Sequence, residues 1–401
     1  MGALTRIEQD AVERAGAAPM LAQVEIWASI NSGSDNLAGL AQVAGFLADA
    51  FAVLPGEIAL LEPETVTAAH ADGRVIEQPR GRNLHLVVRP QATVQLLLTG
   101  HMDTVYGADH AFQSLAWREP GVLGGPGVAD MKGGLAVMLA AMKAVEASPG
   151  AAAVGYEVVI NSDEETGSGG SAALIAAAAR GKTAALTYEP AALPDGTLAG
   201  ARPGSGNFSF IVSGRSAHAG RNPEDGRNAV IAAAALAMRL DAIKGPRLSV
   251  NVARLDGGGP NNVVPDHAVL RVNLRPTTPD DQSRARTLID EAVAMVASEH
   301  DVAILLHGGF GRPPKPLDAA AERLFGLVRD AGADLGQTIR WQPSGGVCDG
   351  NNIAAQMVPV VDTMGVRGGK IHSAEEYLIV DSLSERAALS ALTILRLGAG
   401  A

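Results

Sequence analysis

The stretch "YEVVINSDEETGSGGSAALIAAAARGKTAALTYEP", residues 156–190, sets the fold. A β-branched run (156–161) ends in three adjacent carboxylates, Asp163, Glu164 and Glu165. A glycine-rich turn follows, then an alanine-rich helical segment, then a second aliphatic run that ends at Glu189. Strand, helix, strand at this spacing predicts a crossover unit of a parallel sheet. The pattern extends upstream. "HLVVRP" (85–90) and "VQLLLTG" (94–100) read as strands, and "GGLAVMLAAMKAVEA" (133–147) reads as a helix. The expected class is α/β, with a mostly parallel sheet covered by helices.

Downstream of Pro203 the texture changes. "NFSFIVSG" (207–214) alternates like a half-exposed strand, and 226–243 is helical. "RLSVNVARL" and "HAVLRVNLRP" follow as two strands, then an amphipathic helix over 280–300 and a strand at 302–307. That order, β-α-β-β-α-β, is the split βαβ arrangement of a ferredoxin-like domain. "GGFGRPPKP" (308–316) then returns the chain to a last helix and strand, "GLVRDAGADLG" and "VPVVDTMG". Residues 206–312 are therefore expected as a domain inserted into a larger one made of 1–205 and 313–401, in keeping with a chain of 401 residues.

The net charge of −11 argues against nucleic acid or an anionic membrane as the main partner. A single cysteine, Cys348, rules out an internal disulfide and suits a reducing compartment. The N-terminus lacks a basic start with an apolar stretch behind it, and no apolar run is long enough to span a bilayer. A cytoplasmic location is the expectation. "GGPGVADMKGG" (124–134) matches neither phosphate-binding glycine pattern, which leaves nucleotide binding weakly supported.

In open α/β sheets, ligands bind beyond the carboxyl ends of the strands. The predicted strands end at His101 and Asp103 ("GHMDT"), at Glu164 and Glu165, at Glu189, and ahead of His372 ("GGKIHS"). Asp130 lies in the glycine-rich loop before a helix. Taken singly, His101 reads as a packed or surface histidine, the aspartates as turn residues, and the paired glutamates as solvated surface. Their recurrence at one end of successive strands favours a hydrolytic metal centre, whose cations would offset the crowded negative charge.

"GHMDTV", "GVADMKGG", "DEETGSGG", "YEP", "SGRSAHAG" and "GGKIHS" resemble the motifs of the dizinc amidohydrolases. That family includes bacterial glutamate carboxypeptidase, acetylornithine deacetylase, succinyl-diaminopimelate desuccinylase and aminoacylase. The resemblance runs from about the first strand to the C-terminus. It implies two zinc ions bridged by Asp130, with Glu165 and His372 completing one site and His101 and Glu189 the other. Cobalt or manganese can share such N/O sites. Asp103 would orient the His101 imidazole through its carboxylate, and Glu164 would be the general base acting on a metal-bridged water. The Asp130–Met131 peptide is expected to be cis. His218 resembles the family histidine that stabilises the oxyanion, commonly from the partner subunit of a homodimer formed through the inserted domain. Asn262 and Arg275 stand at positions resembling polar substrate contacts, Arg275 for a free carboxylate. Gly345 and Gly346 lie in "SGGVCDGNN", which resembles the glycine-rich segment beside the site, with Cys348 where relatives usually carry Ser or Thr. Asp163 has no implied role beyond shaping the turn.

The expected activity is zinc-dependent hydrolysis of a peptide-like amide next to a free carboxylate, as in glutamate carboxypeptidase. The runner-up is deacylation of an N-acyl amino acid in the same site. A non-catalytic binding protein on this scaffold is the remaining alternative.

Overall fold

The computed structural model describes residues 4–400. Its central sheet has six strands in the order Glu57–Leu61, Asn83–Val88, Val154–Asn161, Val94–His101, Ala184–Thr187, Val360–Val361. The last four run parallel. Strand Asn83–Val88 pairs antiparallel with Val154–Asn161, so the sheet is mixed at that edge. The physical reason is the five-residue link 89–93, too short for the dozen or more residues that a parallel crossover needs.

Strand Val94–His101 shows how the sheet is covered on both faces. Leu96 and Leu98 belong to one buried cluster, with Leu135, Met138 and Leu389 from helices Gly134–Glu146 and Asp381–Gly398. Leu97 points the other way, into a cluster with Ile175, Ala179 and Ile353. All three leucines are fully buried, each contributing roughly 1.5–3 kcal/mol of transfer free energy. The β-branched and leucine runs therefore lack the polar alternation of a half-exposed sheet. Because the central strands are parallel and in register, His101, the 163–165 turn and Glu189 emerge at one end. Gly134 starts the covering helix where a Cβ would meet the Tyr188 carbonyl at 2.0 Å, so only glycine allows that approach.

The second sheet is antiparallel, in the order Leu248–Gly257, His267–Pro276, Ser205–Ser213, Ala303–Arg312. Helices Ala229–Ala242 and Pro279–His300 cover one face, burying Phe208, Phe210, Leu270 and Val272 against Leu236 and Ile289. This is the expected β-α-β-β-α-β unit. The alternate residues, Asn207, Ser209, Arg271, Asn273 and Arg275, line a cleft against the larger domain. A hairpin absent from the sequence reading, Val66–Ala69 with Val75–Gln78, reaches across to this polar face. Arg271 Nη2 donates to the Ala69 carbonyl (3.0 Å), His267 Nε2 lies 3.1 Å from the Ala71 carbonyl, and His307 Nε2 lies 3.0 Å from Thr67 Oγ1. Among the described residues, no helix is long and apolar enough to cross a membrane.

Candidate metal centre and active site

The loop after strand Val122–Gly124 carries Asp130 into the sheet's ligand-binding end, and the Asp130–Met131 peptide is cis. Asp130 sits between two imidazoles. Its Oδ1 is 3.0 Å from His101 Nε2, and its Oδ2 is 3.3 Å from His372 Nε2. Glu165 Oε2 approaches His372 Nε2 at 3.1 Å, and Glu189 Oε2 lies 3.8 Å from His101 Nε2. The five residues thus form a chain with Asp130 at its middle. Glu164 also comes close, with donor atoms of His101, Glu164 and Glu189 lying within 4.8 Å of one another.

Burial sets the electrostatics. It pushes Glu165 up to about 8, with Asp130 beside it adding to the effect. Burial raises Glu164 and Glu189 as well. Burial would depress His101, but contacts to Asp103, Asp130 and Glu189 hold it well above its ordinary value. His372, half-exposed, is pushed up to about 11 by Asp130 and Glu165. Four largely buried carboxylates (Asp130, Glu164, Glu165, Glu189) therefore converge with two imidazoles, one buried (His101) and one half-exposed (His372). Buried like charges of this kind need cations close by. An all-N/O donor set with one carboxylate between two histidines fits divalent transition-metal binding.

Asp103 meets His101 with both its backbone and its side chain. The His101 Nδ1 proton has its nearest acceptor in the Asp103 main-chain carbonyl, at 3.0 Å, whereas the carboxylate stands 3.4 Å away. That carboxylate is taken up elsewhere. Oδ1 accepts from the Glu164 N–H (3.1 Å), while Oδ2 accepts from the Glu165 N–H (3.1 Å) and the Ser34 hydroxyl (2.7 Å). Asp103 therefore holds the imidazole mainly through its backbone carbonyl, with its carboxylate close by, and fixes the 164–165 loop through its side chain. Asp163 shapes the same turn, its carboxylate accepting from the Gly170 N–H and the Ser171 hydroxyl, both at 2.6 Å.

Glu164 has a partner the sequence reading missed. Arg312, the last residue of strand Ala303–Arg312, places Nη1 2.5 Å from Glu164 Oε1. The approach lacks hydrogen-bond alignment, so Oε1 stays without an aligned donor. Arg312 Nη2 donates to the Glu164 carbonyl (2.8 Å) and to Ser168 Oγ (2.9 Å). The only sequence signal for it is an arginine ahead of Pro-Pro at a strand end, and its partner lies 148 positions away.

A cleft of about 800 Å³ opens beside Glu164, Glu165 and His372 and runs between the hairpin and the polar face of the second sheet. Arg275 lines it, with Nε donating to Asn273 Oδ1 (3.1 Å) and Nη1 to the Gly345 carbonyl (3.0 Å). Among the described residues no carboxylate pairs with it, which leaves an uncompensated guanidinium in the wall. Gly346 also lines the cleft, its carbonyl held by Arg202 at 3.0 Å, and Arg202 in turn forks onto buried Asp362. Cys348 is buried and its thiol is pushed up by burial, which leaves it protonated and unsuited to nucleophilic chemistry. His218 and Asn262 are not brought to this cleft. Both are exposed and adjacent to each other, joined through the Ala219 N–H to the Asn262 carbonyl (3.0 Å).

The profile of peptidase family M20/M25/M40 matches residues 97–396. Carboxypeptidase G2 of Pseudomonas sp. (strain RS-16) is 31% identical over 347 residues, covering 84% of this chain and 81% of that protein. Succinyl-diaminopimelate desuccinylase of Xanthomonas oryzae pv. oryzae is 30% identical over 321 residues, covering 75% and 83%. Among solved structures, a tripeptidase from Staphylococcus aureus superposes with a TM-score of 0.73 at 22% identity, over 97% of this chain and 99% of that one. The fold, the convergent carboxylate–imidazole chain and the length of the match agree: this chain belongs to peptidase family M20/M25/M40.

Proposed function

We propose that the protein is a dizinc hydrolase that cleaves an amide bond next to a free carboxylate, in the manner of a glutamate carboxypeptidase. Its family makes it a metallohydrolase of amide bonds. The observation that carries the finer reading is Asp130, with one carboxylate oxygen toward His101 and the other toward His372. Asp130, Glu165 and His372 would hold one ion, and Asp130, His101 and Glu189 the other. When bound, such ions supply Lewis acidity and lower the pKa of a nearby water toward neutrality.

The chain's own groups do the rest. Glu164 takes a proton from the attacking water as its oxygen bonds to the scissile carbon. It then passes that proton to the leaving nitrogen as the C–N bond breaks. Arg275 receives the substrate carboxylate, since a guanidinium pairs with it bidentately and no acid among the described residues competes. The cleft of about 800 Å³ has room for a substrate well beyond an N-acetyl amino acid, which favours the carboxypeptidase reading over deacylation of a small N-acyl group. Carboxypeptidase G2 among the relatives supports the same choice.

A homodimer is proposed through the inserted unit 206–312. Strand Leu248–Gly257 is an open sheet edge, and Ile231 and Met238 are exposed beside it. In that assembly the exposed His218 and Asn262 would serve the partner's site.

The test is turnover of N-acyl glutamates and larger peptide-like amides by metal-loaded and chelated protein, together with Glu164→Gln. Turnover should vanish on chelation and return with zinc. Glu164→Gln should keep its metal while losing roughly 10²–10⁴-fold in kcat. Full activity in the metal-free protein sinks the reading.

A further inference from the structure

Glu376 lies four residues beyond His372, is 1% exposed, and has no role in the chemistry above. Its carboxylate faces a cradle of donors. Oε1 accepts from the Ala129 N–H (3.0 Å) and the Asp130 N–H (3.1 Å). Oε2 accepts from the Gly127 N–H (3.2 Å) and lies 2.9 Å from the Tyr106 hydroxyl. That hydroxyl is also 2.9 Å from the Ser373 carbonyl, in the His372 loop. Gly127 has φ +73°, and a Cβ there would meet Thr104 Cγ2 at 2.8 Å, so glycine lets this amide turn inward.

Three backbone amides aimed at one point form an anion-binding concavity, which this chain fills with its own side chain. Both oxygens of Glu376 only accept, and every group facing them can donate. The connection joins two loops: residues 127–130, which carry Asp130, and residues 372–376, which carry His372. We propose that Glu376, with Tyr106, is a positioning residue that holds Asp130 and His372 at the spacing needed to grip a metal pair. This rests on the metal-centre reading above. The local argument is that the grip falls on the main-chain N–H of Asp130 itself, one rotation from its carboxylate. Glutamine at position 376 would turn an NH₂ toward an N–H in either flip. Phenylalanine at position 106 would keep the Glu376 charge and remove one donor.

The experiment measures zinc affinity of the full chain by competition with a chromogenic chelator, for wild type, Glu376→Gln and Tyr106→Phe, with melting of each metal-free protein alongside. Glu376→Gln should weaken zinc about 10- to 100-fold, and Tyr106→Phe should weaken it less. In both, kcat should recover toward the wild-type value under excess zinc, with KM unchanged. A role confined to stability would lower the melting temperature and leave zinc affinity untouched, and that result overturns the proposal. If Glu376→Gln does not fold, Tyr106→Phe decides, since wild-type zinc affinity there also overturns it. A wild-type protein that binds no divalent ion instead overturns the metal-centre reading on which this one stands.

Discussion

Asp103→Asn changes no atom count at a fully buried position, yet the hydrogen-bond pattern cannot survive it. The carboxylate accepts from the Glu164 and Glu165 amides at 3.1 Å each, one on each oxygen, and from the Ser34 hydroxyl at 2.7 Å. Asparagine keeps one oxygen, so in either flip its NH₂ faces one of those two amides. One charge-assisted bond is lost, about 1.5–3 kcal/mol, and a buried donor is left unpaired. The hydroxyl can rotate and accept, which offsets part of the loss. A net destabilisation of about 3 kcal/mol follows, or a fall in melting temperature of roughly 6 °C at about 2 °C per kcal/mol for a large chain. His101 should be less affected, because its Nδ1 proton goes to the Asp103 backbone carbonyl, which asparagine retains. Calorimetry of metal-free protein reads the first effect, and chelator competition reads the second. The expected pattern is a clear loss of stability and turnover with zinc affinity reduced less than about tenfold, below the usual loss for a ligand-orienting carboxylate. Melting within about 2 °C of wild type would refute the reasoning, since 1 kcal/mol is less than one such bond.

Two further expectations follow from the burial of the site. In metal-free protein, Glu165 is raised from 4.5 to about 8, so the folded state holds a proton that the unfolded chain releases across that window. Stability of the metal-free form therefore falls as pH rises through it, while zinc, which needs the deprotonated ligands, binds better. The melting difference between zinc-loaded and chelated protein should widen from about pH 5 to about pH 8 in scanning calorimetry; a flat or shrinking difference contradicts this. For the assembly, sedimentation equilibrium should give a mass near twice that of the chain. Placing a lysine at Val252, in the centre of strand Leu248–Gly257, should shift the balance to monomer and lower turnover. A wild-type monomer with full activity removes both the dimer and any role for His218 from a partner.

Three of the proposed ligands, His101, Glu165 and Glu189, were readable because each follows a strand whose apolar run announces it. "VQLLLTG" leads to His101 and "AALTYEP" to Glu189, and the parallel order brings those ends together. The β-α-β-β-α-β unit was readable from alternation, with Phe208 and Phe210 inward and Asn207 and Ser209 outward. Arg312 and Glu376 were not readable, because nothing local announces their partners. The partners of Glu376 lie about 250 positions earlier, and the second of two adjacent glutamates in "SAEEY" looks solvated until the fold buries it. The hairpin 66–78 escaped because its residues are too mixed to alternate cleanly. The split roles of Asp103, backbone to His101 and side chain to the 164–165 loop, are set by angles that residue identity does not encode.

The three bonds from that hairpin to the second sheet act as a second fastening, besides the chain crossings that join the two units. At roughly 0.5–1.5 kcal/mol each, they contribute about 1.5–4.5 kcal/mol against swinging the sheet off the hairpin, and the buried contact of Ala69 with Ile211 and Val269 adds to that. A gap of that size keeps a released conformer at roughly a few per cent of the molecules or less, a minor state that exchanges on the microsecond-to-millisecond scale. Relaxation-dispersion NMR on the hairpin amides would detect that exchange, and its absence would mean the two units are locked. On this view the cleft volume decides what fits, and how often the fastening lets go decides how fast it enters and leaves.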